Sequence, residues 1–246
     1  MATTERTGLI LAAGFGSRLA ENGHAEVPKP LIQLGGTSLI VRALQGLEAA
    51  GCTRSVIVLG HRHSLIRRAV EDEYAGSMPI QFVFNERYDL SNGVSVLSAA
   101  PHLGNEFVLV MADHVVSEDV MLAAGAHVPP EDGATLLVDY RIDQVFDLDD
   151  ATKVVERDGR IAAIGKHLTE YNCIDIGVFV CTRALLDAIQ VVYDREGDAS
   201  LSHGVQALSG RGTMHVLDIG DGFWQDVDTP DMLDHVQQRL GLRAAG

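Results

Sequence analysis

Four short apolar runs recur in the first half of this 246-residue chain, each separated from the next by room for one helix. They are Thr7–Ala13, Ser55–Gly60 (SVIVLG), Ile80–Phe84 (IQFVF) and Phe107–Ala112 (FVLVMA), and they are largely apolar at both odd and even positions. A strand of that kind needs cover on both faces, as in a sheet held between two helical layers. Helical periodicity fills the gaps. Thr37–Ala50 has Thr37 or Ser38 near its start and Gly51 at its end; Ser64–Tyr74 and Val94–Ala100 follow. This alternation implies right-handed crossovers and a mostly parallel sheet.

After about residue 133 the rhythm changes. Ala134–Tyr140, Ala151–Glu156, Ile161–Gly165 and Ile174–Cys181 read as strands, with Asp158-Gly159 as a hairpin turn between two of them. Helices return at Arg183–Tyr193, Leu201–Leu208 and Pro230–Leu240, the last with Thr229 as cap and Pro230 at its first position. No linker, repeat or low-complexity stretch interrupts the chain. It reads as one domain over 1–246, with a parallel half to about 132 and a more antiparallel half beyond it.

Bulk properties exclude several functions. No apolar run approaches the ~20 residues of a membrane span, and the N-terminus lacks a signal-peptide layout. Cys52, Cys173 and Cys181 form neither a disulfide framework nor a zinc spacing. A cytoplasmic chain with no membrane partner is expected. The net charge of −15 repels nucleic acid, but a small anion remains possible where cations gather in one cleft. Of nineteen basic residues only Lys29, Lys153 and Lys166 are lysine. Each could need a compact ammonium rather than a planar fork, or the bias could be chance.

The first strand runs into Ala12-Ala13-Gly14-Phe15-Gly16-Ser17-Arg18, and Lys29 follows between Pro28 and Pro30. A glycine-rich loop at a strand end presents backbone N–H groups to phosphates. Gly14 and Gly16 suit that use, Arg18 adds a forked donor, and the prolines stiffen the backbone that aims Lys29. A tight turn with two surface cations fits the same residues. The pattern is neither Walker A nor the full G-x-G-x-x-G.

Taken together, LAAGFGSRL and PKPLIQLGGTSLIVRAL resemble the opening of the sugar-nucleotidyltransferase (MobA-like NTP transferase) superfamily. The segment Ala151–Leu185 resembles the middle of its cytidylyltransferase branch: inositol-1-phosphate, phosphocholine and phosphonate cytidylyltransferases, the last including the domain of fosfomycin biosynthesis. The matching features are Thr152-Lys153-Val154, Ile164-Gly165-Lys166, Ile174-Asp175-x-Gly177 and the Asp113-His114 pair. One departure is Ile176, where relatives usually carry Thr.

The resemblance implies a Rossmann-like, GT-A-type α/β fold, a mixed and mostly parallel sheet flanked by helices, with a nucleotide-binding first half and an acceptor-binding second half. It implies a Mg²⁺-dependent transfer of CMP from CTP to the phosphate or phosphonate of a small acceptor, with release of pyrophosphate. By the same likeness Leu11, Ala12, Ala13, Gly14, Phe15, Gly16, Ser17 and Arg18 wrap the triphosphate, and Arg18 and Lys29 neutralise the leaving pyrophosphate. Asn85, Ser91, Asn92, Gly93 and Ser95 line the pyrimidine pocket, although Asn92-Gly93 also suits an ordinary turn. Asp113, Asp226 and Asp228 would hold the metal; Lys153, Lys166 and Asp175 would bind the acceptor. Arg87 reads equally as a phosphate or a surface arginine, and His61, His63 and His167 as surface residues.

Two other readings stay open: a UTP- or GTP-dependent sugar-1-phosphate transferase, and a nucleotide-binding module without turnover. The acceptor could be an inositol phosphate, a choline-like phosphate or a phosphonate such as 2-hydroxyethylphosphonate. A chain fused to, or working with, another biosynthetic domain is also compatible with the sequence.

Overall fold

The computed structural model describes residues 5–15 and 27–242. Within them the first half contains β1 (Thr7–Ala12), the short pair β2 (Gln33–Leu34) and β3 (Thr37–Ser38), α1 (Leu39–Ala49), β4 (Arg54–Leu59), α2 (His63–Glu73), β5 (Ile80–Phe84), α3 (Asn92–Ala99) and β6 (Glu106–Met111). The chain continues through β7 (His114–Val116), α4 (Glu118–Ala126), β8 (Ala134–Asp139), β9 (Lys153–Arg157), β10 (Arg160–Gly165) and β11 (Cys173–Thr182). It ends with α5 (Arg183–Glu196), α6 (Leu201–Ser209), β12 (Met214–Asp218), β13 (Trp224–Asp226) and α7 (Pro230–Arg239).

One nine-stranded sheet runs through both halves in the order β5-β4-β1-β6-β11-β8-β12-β10-β9. The pairs among β5, β4, β1 and β6 are parallel, as expected. Beyond β6 only β12 and β8 pair in parallel; β11 runs antiparallel to both β6 and β8. The sheet is therefore mixed, and the parallel expectation holds for the first half.

Both faces of β1 are covered. Leu9 and Leu11 join one apolar cluster with Phe107, Leu109 and Phe179, closed by Val96 of α3, Ile189 of α5 and Val205 of α6. Ile10 and Ala12 join the opposite cluster with Val108 and Val178, closed by Leu44 of α1, Ile66 of α2 and Ala124 of α4. Period-two alternation of side chains accounts for the split. The Asp158-Gly159 hairpin forms as expected, both residues having positive φ (52° and 76°). Thr229 caps α7 by accepting from Met232 N–H. No helix among the described residues is long and apolar enough to cross a membrane.

β2, β3, β7, α4 and β12 were not anticipated. β7 and β13 have three residues each, too few to show a period, yet they form a small antiparallel ribbon that carries much of the site.

Candidate active site

The ribbon brings two distant acidic segments together. Asp226 of β13 pairs in register with His114 of β7, and Val227 N–H donates to the Asp113 carbonyl at 2.9 Å. Val227 is fully buried in a small core with Leu34 and Leu39. Asp226 and Asp228 flank it and line a cleft of about 260 Å³ together with Asp113. Lys29 reaches the same place from a 3-10 turn that starts after Pro28. Its ammonium pairs with Asp228 and lies 3.5 Å from Asp113. Lys29 thus joins the two carboxylate segments that the sequence pointed to separately.

His114 is fixed from behind. Its Nδ1–H donates to the Ile176 carbonyl at 2.9 Å. Gly177 makes that contact possible: it has φ +76°, sits within a register shift of β11 against β8, and a Cβ there would lie 2.5 Å from the imidazole. The Gly177 N–H in turn donates to Asp175 at 2.7 Å. Burial pushes the Asp175 pKa up to about 6, against the Gly177 N–H and nearby His114, which pull it down. Burial also raises the Asp226 pKa; Asp228 and Asp113 add to the rise while His114 opposes it. For His114 burial works against the charge, but Asp113 and Asp226 leave its pKa above the ordinary value.

The far wall of the cleft comes from the loop before β9 and from β10. Lys166 pairs with Asp150 at 2.9 Å, and both line the cleft. Carboxylate oxygens of Asp150, Asp226 and Asp228 lie within 4.8 Å of one another. Asp150 was not among the expected metal residues; a turn aspartate in an acidic loop carries no sequence signal of its own. Trp224 also lines the cleft and stacks near His114, with ring centroids 6.3 Å apart.

Lys153 corrects an expectation. It is 8% exposed, and its ammonium donates to the carbonyls of Leu148, Asp149, Ala151 and Lys166 rather than lining the cleft. The expected base segment is also engaged internally. Asn85 is buried, donates to Ser95 Oγ at 3.0 Å and accepts from Arg87 N–H at 2.9 Å. Both the N–H and the hydroxyl of Ser91 donate to Asp198, at 2.9 and 2.8 Å, and Asn92 accepts from Leu201 N–H at 2.8 Å. Gly93 lies so close to the Ala199 carbonyl that a side chain would collide with it. These residues stitch α3 to the start of α6.

Leu11, Ala12 and Ala13 are buried at the end of β1. Gly14 has open space around it and no left-handed φ, so the backbone itself does not demand glycine there. Phe15 is exposed and rests against His61 and Tyr88. Gly16, Ser17 and Arg18 lie outside the described residues.

The molecule thus combines a parallel half whose first strand ends at a Gly-containing loop with a cleft where lysine and paired carboxylates meet. The model of the MobA-like NTP transferase domain matches residues 8–202. The chain belongs to that family. Among curated relatives of this transferase domain are two proteins named "Bifunctional IPC transferase and DIPP synthase". The one from Rubrobacter xylanophilus is 32% identical over 99% of this chain and 55% of its own length. The one from Archaeoglobus fulgidus is 32% identical over 94% of this chain and 43% of its own. The chain thus spans about half the length of these relatives. Among solved structures, the inositol-1-phosphate CTP transferase from T. maritima superposes with a TM-score of 0.81 at 25% identity, covering 99% of this chain and 100% of that one.

Proposed function

We propose that this chain is a cytidylyltransferase that moves CMP from CTP to the phosphate of an inositol phosphate, releasing pyrophosphate. The observation that carries the reading is the junction of Lys29 with Asp113 and Asp228 in a cleft whose opposite wall holds Lys166. That arrangement sets cations and a metal-competent acidic group around one point, as phosphoryl transfer needs. The names of the curated relatives and of the T. maritima structure support inositol phosphate as acceptor. Nothing comparable supports a phosphonate or a link to antibiotic biosynthesis.

An acceptor phosphate oxygen attacks the α-phosphorus of CTP; that P–O bond forms as the α–β anhydride bond breaks. The nucleophile is already an oxyanion, so no general base is required. Lys166 binds the acceptor phosphate and Lys29 faces the nucleotide phosphates; the role expected of Arg18 falls outside the described residues. Asp175, Asp147 and Asp150 offer acceptors to ring hydroxyls.

Asp226 and Asp228, with Asp113 or Asp150, would hold Mg²⁺. The donor set fits: it is all carboxylate oxygen, and the oxygens of Asp150, Asp226 and Asp228 lie within 4.8 Å of one another, a gathering of negative charge that a cation relieves. When bound, the metal supplies charge neutralisation at the phosphates.

Asn85, bonded to Ser95, and Ser91, bonded to Asp198, brace the base-reading segment, and Asn92, which lines the cleft, is the member of it that faces the substrates. The direct test is ³¹P NMR of the protein with CTP, Mg²⁺ and myo-inositol 1-phosphate. A pair of coupled pyrophosphate-diester resonances, formed in step with free pyrophosphate, supports the reading; pyrophosphate without that pair would contradict the acceptor.

A further inference from the structure

The loop between β8 and β9 brings Asp147, Asp150, Ala151 and Thr152 into the cleft wall. It closes on itself through Ala151 N–H to the Asp147 carbonyl at 3.2 Å. At its hub is the buried ammonium of Lys153. Nζ donates to the carbonyls of Leu148 at 2.8 Å, Asp149 at 3.2 Å and Ala151 at 3.3 Å. A fourth carbonyl, that of Lys166 on the neighbouring strand connection, lies at 3.2 Å. The Tyr171 ring adds its face, with its centroid 5.8 Å from Nζ.

Four carbonyl dipoles aimed at one point repel one another unless a positive charge sits there. In this loop the charge is tethered to the first residue of β9. It fixes Leu148–Ala151 on one side and the backbone of Lys166 on the other, so one buried cation sets the spacing between Asp150 and Lys166. We propose that Lys153 is a positioning residue: it acts as a built-in cation that shapes the acceptor wall without touching the acceptor. The inference rests on the reading of this cleft as the acceptor site.

The test uses Lys153→Ala with added n-propylammonium, which replaces the deleted Cγ-to-Nζ fragment, and n-propanol as the uncharged control. Hydrogen exchange of the 147–152 amides, measured without substrate, should speed up roughly tenfold in the variant and slow again with the amine but not the alcohol. With CTP and myo-inositol 1-phosphate, the KM for the acceptor should rise roughly tenfold, that for CTP should change by under about twofold, and the amine should restore the former. Lys153→Met, which keeps the length without the charge, takes the place of the alanine variant if the latter does not fold. Unchanged exchange, faster exchange with an unchanged acceptor KM, or equal effects of amine and alcohol would overturn the proposal. So would a Met variant that is unfolded or wild-type in both measurements. Absence of turnover in the wild-type protein would instead defeat the proposed function, and the exchange data alone would then decide whether Lys153 holds the loop.

Discussion

The indole Nε1–H of Trp224, the only tryptophan in the chain, donates to Asp139 at 2.9 Å, and the same carboxylate accepts three hydrogen bonds from Arg141. Arg141 also donates to the Gly222 carbonyl at 2.5 Å, which ties the approach to β13 onto β8. Removing the buried carboxylate leaves the indole N–H without its acceptor and leaves the guanidinium with the Gly222 carbonyl but no counter-charge from Asp139. Asp139→Ala should therefore lower stability by roughly 2–3 kcal/mol and shift the tryptophan emission. Urea denaturation followed by fluorescence reads both; an unchanged midpoint and spectrum would contradict the role given to Asp139.

The same carboxylate predicts an acid limb. Burial pushes its pKa up, but the hydrogen bonds from Arg141 and Trp224 outweigh burial and hold it below the ordinary value. A depressed folded-state pKa gives stability that is complete above the unfolded value, about 4, and fades as pH falls through the lower folded value. The urea midpoint of the wild-type protein should drop more steeply below about pH 4 than that of Asp139→Asn. Equal slopes for the two proteins would rule this out.

Gly177→Ala tests the support behind His114. The substitution forces a side chain onto a residue at φ +76° and against the imidazole. A loss of about 2 kcal/mol or more is expected, together with lower activity as His114 is displaced. Wild-type stability and turnover would show that the bulge is not required.

Much of this arrangement was legible in the sequence, for physical reasons that also mark where it stopped. The apolar runs located β1, β4 and β6 because strands covered on both faces have few polar positions; β5 showed the same run although it is a half-exposed edge strand. Lys29, Asp226 and Asp228 stood out because prolines and a strand-to-helix junction framed them. Lys153 occupied a suggestive position, yet its backbone direction, which turns it into its own loop, is set by pairing with β10 and β11. Asp150 and the His114–Gly177 contact arise only from tertiary packing. The Ser91–Gly93 turn reads as a base reader because its amide and hydroxyl groups can hydrogen-bond; the bonds of Ser91 to Asp198 and of Asn92 to the Leu201 N–H join it to residues more than a hundred positions away, which no local pattern shows.

Asp226→Asn and Asp228→Asn keep side-chain volume but each remove a charge from the proposed metal position. Turnover should fall by roughly a hundredfold at fixed Mg²⁺, and calorimetric Mn²⁺ affinity in the presence of CTP should weaken in parallel. Near-normal rates across a magnesium titration in either variant would remove these residues from the metal site. The Asp228 variant also takes a partner from Lys29, so its loss should be the larger.

Lys29→Arg and Lys166→Arg should separate the two substrates. The broad guanidinium cannot take the ammonium's place between Asp228 and Asp113, so Lys29→Arg should mainly lower kcat. Lys166→Arg should mainly raise the acceptor KM, by on the order of tenfold, with the KM for CTP changing less. The opposite split would reverse the assignment of donor and acceptor walls.

The central claim, that this is a CTP-dependent transferase acting on an inositol phosphate, is tested most directly by pyrophosphate release. The wild-type protein is given CTP, UTP, GTP or ATP at equal concentration, with myo-inositol 1-phosphate, glucose 1-phosphate or no acceptor. The account predicts the fastest release with CTP and myo-inositol 1-phosphate together, and little without acceptor. Faster release with another nucleotide, or with glucose 1-phosphate, would contradict it.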